Sequence, residues 1–195
     1  MLKDQKYKIL LASGSPRRQQ FFKNMDVDFE IRLKEVDEIY PSELQAAEIT
    51  DFLSKLKAAA FEGDLNQNEL LVTSDTIVWH NNRALGKPKD FDDAFAILKS
   101  LSDSTHEVIT SVCLKTLEKT HVFHEITKVT FCELSDEAIK YYLDHYKPFD
   151  KAGAYGIQEW IGLTGITKIE GSYTNVVGLP TQKVYEYIAK LNQHV

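Results

Sequence analysis

Ser13-Gly14-Ser15-Pro16-Arg17-Arg18 stands where a short apolar run, Tyr7 to Ser13, meets a helical pattern over Arg17 to Asn24. A strand that turns sharply into a helix leaves backbone N–H groups pointing outward, and the helix N-terminus favours an anion. Ser13 and Ser15 add hydroxyl donors, and Gly14 lets a ligand approach the backbone. Arg17 and Arg18 add forked donors that match phosphate oxygens. The chemistry indicated is the binding of a phosphate-bearing anion. The competing reading is an ordinary capped helix with two solvated arginines.

Ser74-Asp75-Thr76 interrupts an otherwise apolar, β-branched run, Leu70 to Trp79. A carboxylate inside such a strand is expensive to bury alone, so it needs a cation, a metal or a proton-transfer role. Twelve residues on, Gly86-Lys87-Pro88 offers a cation beyond a turn, either as a structural partner of Asp75 or as a ligand to the same anion. A metal would need further oxygens, and Asp37-Glu38 in a polar loop is one source. Mg²⁺ commonly takes one or two carboxylates and completes its shell with substrate phosphates, and a sequence without a dense carboxylate cage suits that mode.

A third stretch, Asp150-Lys151-Ala152-Gly153-Ala154-Tyr155-Gly156-Ile157-Gln158, sets one aromatic and one amide among small residues. It can form a close-fitting wall in which Tyr155 stacks or hydrogen-bonds and Gln158 pairs with a base edge. Glycines of this kind equally mark bulges or backbone crowding in a strand. His80, His106, His121, His124, His145 and His194 show no ligand spacing. There is no G-x-S-x-G elbow, Walker loop or G-x-G-x-x-G, so serine hydrolase, P-loop and dinucleotide-binding readings have no support.

The elements that must position these residues alternate. Tyr7–Ser13 and Phe29–Leu33 read as strands, and Ser42 with Gln45 resembles a capping box opening a helix to about Glu62. That helix carries Ile49, Phe52, Leu53, Leu56 and Ala60 on one face. After Leu70–Trp79 comes a turn at His80-Asn81-Asn82-Arg83, then a helix over Phe91–Leu101 capped by Asp90. Thr105–Leu117 and Val122–Phe131 pair as a hairpin, and Ser135 caps a helix to about His145. Gly171–Pro180 reads as a loop and strand leading into a last helix, Pro180–Leu191. The class is α/β with a mixed sheet flanked by helices, in one domain spanning 1–195.

Composition agrees. The 195 residues are 43% hydrophobic and 27% charged, with nine glycines and five prolines, which excludes disordered, collagen-like and low-complexity classes. The formal net charge of −6 argues against nucleic-acid or anionic-membrane partners and leaves phosphate chemistry to a focused cationic site. Met1–Lys8 is too polar for a signal h-region, and no run reaches the ~20 apolar residues of a membrane span. Cys113 and Cys132 have no metal or redox spacing. The expectation is a reduced, cytoplasmic protein.

In order along the chain, Leu11-Ala12-Ser13-Gly14-Ser15-Pro16-Arg17-Arg18, Lys57-Ala58, Ser74-Asp75-Thr76-Ile77-Val78, Leu85-Gly86-Lys87-Pro88, His106–Thr110, Asp150–Gln158 and Gly171–Pro180 together resemble the Maf family of nucleoside triphosphate pyrophosphatases. The DKAGAYGIQ form is similar to the branch acting on dTTP and UTP rather than on 7-methyl-GTP. Where the family usually has glycine after Gln158, this chain has Glu159-Trp160. The resemblance implies a fold similar to inosine triphosphate pyrophosphatases, with two lobes around a deep cleft, a divalent cation (Mg²⁺ or Mn²⁺) and a homodimer. It implies Asp75 as proton acceptor, and Arg17, Thr76 and Gln158 as setters of substrate choice. On this basis Ser13, Ser15, Arg17 and Arg18 hold the triphosphate, Lys57 and Lys87 offset charge on the leaving group, and Glu38 with Asp75 holds the metal. Competing functions are a nucleotide-sensing regulator of septum formation that binds without turnover, and a purine triphosphate pyrophosphatase.

Overall fold

The computed structural model describes residues 6–193; residues 1–5, His194 and Val195 lie outside them. The chain forms two compact units. The first takes residues up to 75, 110–125 and 178 onward, and the second takes 76–109 and 126–177.

In chain order the first half holds β1 (Lys8–Leu11), α1 (Pro16–Asn24), β2 (Phe29–Ile31), α2 (Ala47–Ala59) and β3 (Glu69–His80). Next come β4 (Arg83–Leu85), α3 (Phe91–Leu101), β5 (Thr105–Lys115), β6 (Thr120–Phe131) and α4 (Asp136–Tyr146). The last stretch holds α5 (Trp160–Gly165), β7 (Ile166–Glu170), α6 (Tyr173–Val177) and α7 (Thr181–Gln193). Strand order is β2-β1-β3-β5-β6-β7, with β4 paired to β3. β1 runs parallel to β2 and β3, whereas β3–β4 and β6–β7 are antiparallel, so the seven-stranded sheet is mixed and flanked by helices, as expected. No helix among the described residues is long and apolar enough to cross a membrane.

In the first unit β1 is apolar at successive positions because both of its faces are covered. Ile9 and Leu11 pack with Phe22 of α1 and with Val184 and Ile188 of α7. Leu10 points to the other side, against Ala58 of α2, Phe61 and Leu65. In the second unit Leu98 and Leu101 of α3, Ile139 and Leu143 of α4, and Val129 and Phe131 of β6 share one core.

Local chemistry explains most boundaries. Asp90 accepts the N–H of Asp93 and Ser135 that of Ala138, so both expected caps form. Asn81 and Asn82 both take positive φ, 50° and 56°, the backbone a two-residue hairpin between β3 and β4 requires.

Several expectations fail for identifiable reasons. Ser42 and Gln45 do not open α2. The chain bends through Ala46 at φ 46°, and the Gln45 N–H donates to the Glu48 carboxylate at 3.0 Å, so the helix starts at Ala47. Ser15 occupies the cap position of α1 with Pro16 following it, but its hydroxyl makes no capping bond. Tyr173–Val177 is a helical turn rather than a strand, because Asn175 is buried and its amide donates to the Val108 carbonyl at 3.0 Å and to Thr127 Oγ1 at 2.9 Å. Ala152–Ala154 forms one 3₁₀ turn.

Candidate functional site

Four residues lead from β1 into α1. Ala12 N–H donates to Val72 O at 2.9 Å, tying the end of β1 to β3. Ser13 is buried, and its hydroxyl accepts from Ser15 N–H at 3.3 Å. Gln19, one turn into α1, donates its amide to Ser13 O at 3.1 Å. Gly14 is exposed, and the turn is held from both sides.

Arg18 is a structural tie as well as a charge. Its Nε donates to Gly178 O at 2.8 Å, and its Nη1 to Ser74 O at 3.2 Å and to Ser13 Oγ at 3.4 Å. One guanidinium thereby links the β1 turn, the residue before Asp75 and the approach to α7. Burial pushes its pKa down, with Asp75 and Glu38 opposing that shift and Arg17 adding to it. A guanidinium remains a cation regardless. These electrostatic partners put Arg17, Arg18, Asp75 and Glu38 in one neighbourhood of the first unit.

Asp75 is 6% exposed. The cation beside it is Lys57 of α2, with Nζ 2.6 Å from Oδ1. The same ammonium lies 2.9 Å from Glu38 Oε1. A buried carboxylate with a near-buried ammonium satisfies the pairing rule that the strand position demands. Lys57 also sits in the last turn of α2, where a cation is favoured by the helix dipole. Because both carboxylates touch one nitrogen, at 2.6 and 2.9 Å, their oxygens are at most 5.5 Å apart. That upper bound is compatible with two ligands of one Mg²⁺, whose oxygens lie within about 4.2 Å of each other. Among the described residues no group of three or more His, Cys, Asp and Glu side chains could hold a metal, so such an ion would need oxygens from its substrate.

Within the second unit, two of the expected motifs meet. Gly153 N–H donates to Gly86 O at 3.1 Å, next to Lys87. Gly153 has φ +72°, and an added Cβ would come 2.6 Å from Val78 of β3, so only glycine fits. Thr76 is half-buried, and Lys87 and Gln158 are exposed. Tyr155 is not free to stack on a ligand. It is 5% exposed, its hydroxyl bonds His106 Nε2 at 2.8 Å, and its ring meets Phe131 edge-on.

The contacts of two groups here carried no sequence signal. His106 is buried, its Nδ1 has no partner, and burial together with neighbouring His80 pushes its pKa down to about 3. Glu159 receives a hydrogen bond from the Tyr142 hydroxyl and sits 3.1 Å from Lys151. Both depend on contacts between segments far apart in sequence, which no local spacing encodes.

A family model described as Maf-like protein matches residues 8–191. The dTTP/UTP pyrophosphatase of Flavobacterium psychrophilum is 75% identical over 181 residues, 93% of each chain. That of Flavobacterium johnsoniae is 68% identical over 193 residues, 98% of this chain and all of its own. Among solved structures, the Staphylococcus aureus Ham1 protein aligns with a TM-score of 0.46 and 16% identity over 66% of this chain and 72% of that one. With a match over 184 residues and relatives this similar along almost the whole chain, the protein belongs to the family of Maf-like proteins.

Proposed function

We propose that this chain hydrolyses dTTP and UTP at the α-phosphorus, releasing the nucleoside monophosphate and pyrophosphate, and so clears unwanted nucleotides. Relatives 75% and 68% identical bear the name dTTP/UTP pyrophosphatase. The observation that carries the chemistry is the buried Asp75 carboxylate, held by Lys57 at 2.6 Å beside the Arg18-braced turn. In phosphoryl transfer, positioning and charge neutralisation supply most of the catalysis.

The backbone and hydroxyls of Ser13 and Ser15, with Arg17 and Arg18, bind the triphosphate. Lys57 fixes the Asp75 carboxylate, and Asp75 orients the attacking water and accepts its proton. Glu38 and Asp75 would hold Mg²⁺ or Mn²⁺, which when bound lends positive charge to phosphate oxygens and makes a bound water more acidic. Lys87 offsets charge on the departing pyrophosphate. Arg17, Thr76 and Gln158 select the nucleotide, because a uracil or thymine edge offers a carbonyl–imide–carbonyl pattern that a primary amide can match.

The test is Asp75→Asn, followed by pyrophosphate release from UTP and dTTP with Mg²⁺ or Mn²⁺. A positioned base contributes about 10²–10⁴-fold, so kcat falls by at least that factor. Near wild-type turnover at unchanged KM removes Asp75 from the proton-transfer role. A regulator that only binds nucleotides would release no pyrophosphate in the unaltered protein.

A further inference from the structure

Gln158 is the single exposed residue of the run Gly153–Gln158, whose other members are buried. The turn that carries it is closed by backbone bonds. The N–H of the next residue, Glu159, donates to Gly156 O at 3.0 Å, and the Glu159 carbonyl accepts from Gly162 N–H at 3.0 Å and Leu163 N–H at 3.2 Å. Glu159 therefore closes a tight turn and opens α5, yet its side chain does not cap that helix.

The carboxylate turns inward instead. Oε2 accepts the proton of the Tyr142 hydroxyl, and Oε1 lies 3.1 Å from Lys151 Nζ. Tyr142 is fully buried on α4, and its hydroxyl oxygen accepts the Gly156 N–H at 3.0 Å. Burial pushes the Tyr142 phenol well up, and the adjacent carboxylate adds to the shift, so the phenol stays a donor. Lys151 is only 9% exposed and also reaches Asp150 at 2.8 Å. Lys151, Glu159, Tyr142 and Gly156 thus form one chain of polar contacts running from the start of the loop to its end.

The Gln158 side chain is packed against this chain. An added Cβ on Gly156 would come 2.7 Å from Glu159 Cδ and 2.9 Å from Gln158 Nε2. The amide of Gln158 and the carboxylate of Glu159 therefore crowd the same bare Cα. Truncating Glu159 leaves the buried Tyr142 hydroxyl without its acceptor and Lys151 with Asp150 alone, and so loosens the turn that carries Gln158.

From this geometry we infer that Glu159 is a positioning residue for base selection: clamped by Lys151 and Tyr142, it holds the Gln158 amide in the orientation that tells one pyrimidine from another. The inference rests on the reading of Gln158 as the base-contacting amide. It involves no proton transfer and no contact between Glu159 and the substrate.

The experiment measures kcat and KM for UTP, dTTP and CTP, with Tm, in Glu159→Ala, Glu159→Gln, Tyr142→Phe and Gln158→Ala, and in Glu159→Ala combined with Gln158→Ala. Misplacement of a positioning group by about 1 Å can cost up to about 100-fold. Glu159→Ala is expected to raise KM for UTP and shrink the UTP-to-CTP preference by about tenfold or more, with kcat changing less. Glu159→Gln, which keeps an acceptor for Tyr142, retains more of that preference. In the Gln158→Ala background Glu159→Ala costs no further preference, because residues acting through one group are not additive. If Glu159→Ala does not fold, Glu159→Gln and Tyr142→Phe carry the same comparison. An unchanged preference in folded Glu159 and Tyr142 variants overturns the inference, as does an equal loss with and without Gln158. Should Gln158→Ala alone leave the substrate ranking intact, the base-reading role of Gln158 fails first and the inference with it.

Discussion

His106 makes the stability of this protein sensitive to acid in a way that one substitution should remove. Its imidazole is 2% exposed, stacks on Phe131, and bonds Tyr155 through Nε2 at 2.8 Å. Nδ1 is buried without a partner, so the protonated ring, with an N–H on both nitrogens, would hold one donor that nothing accepts. Burial, with His80 nearby, holds the folded-state pKa at about 3, whereas an unfolded histidine titrates near 6.5. The folded pKa is depressed, so the unfolded chain takes up the proton first. The stability contribution is complete above about pH 6.5 and is lost as pH falls toward about 3, at ~1.4 kcal/mol per unit. At about pH 5 the loss reaches about 2 kcal/mol relative to neutral pH. His106→Gln keeps a polar partner for Tyr155 but does not titrate. Urea unfolding of both proteins at about pH 7.5 and about pH 5 isolates the difference, because every other titrating group is common to the two. The unaltered protein should lose about 2 kcal/mol more than the variant between those conditions. If both lose the same amount, His106 is not the acid-sensitive group and the assigned burial penalty is wrong.

Two further outcomes follow from single contacts. Arg18→Lys keeps the charge but cannot serve Gly178 O, Ser74 O and Ser13 Oγ together, so kcat and thermal stability should both fall; preserved Tm and activity would show that charge alone matters at this position. Gly162→Ala would place a Cβ 1.9 Å from the Ile157 carbonyl oxygen, a backbone clash that forces the turn at Gln158 to rearrange, so thermal unfolding should show a loss beyond the ~1–3 kcal/mol of ordinary overpacking; an unchanged Tm would contradict the tightness of that turn.

How far the sequence reveals this protein depends on the range of each interaction. The turn from β1 into α1, the apolar run of β3 broken at Asp75, the caps at Asp90 and Ser135 and the two-asparagine hairpin are decided within a few residues, and all are legible. Two local signals lost, one to a neighbouring local contact and one to a distant contact. The apparent capping box at Ser42 yields to a bend at Ala46, and the expected strand after Gly171 becomes helical because Asn175 is drawn into the core by Val108 and Thr127.

The chemistry divides in the same way. Residue types and spacing alone point to an anion-binding turn and to a strand carboxylate in need of a cation. They do not say which cation. A path along the chain through β4 brings Lys87 to mind, yet the contact is made by Lys57, because α2 packs on the sheet face toward which Asp75 points and delivers its last turn there. Nor do they show that Arg18 braces Ser13 and Ser74 or that Glu159 is gripped by Tyr142 and Lys151. A buried charge must find its partner somewhere, and sequence states that need at once. Which partner answers it is settled only when packing brings distant segments within hydrogen-bond reach.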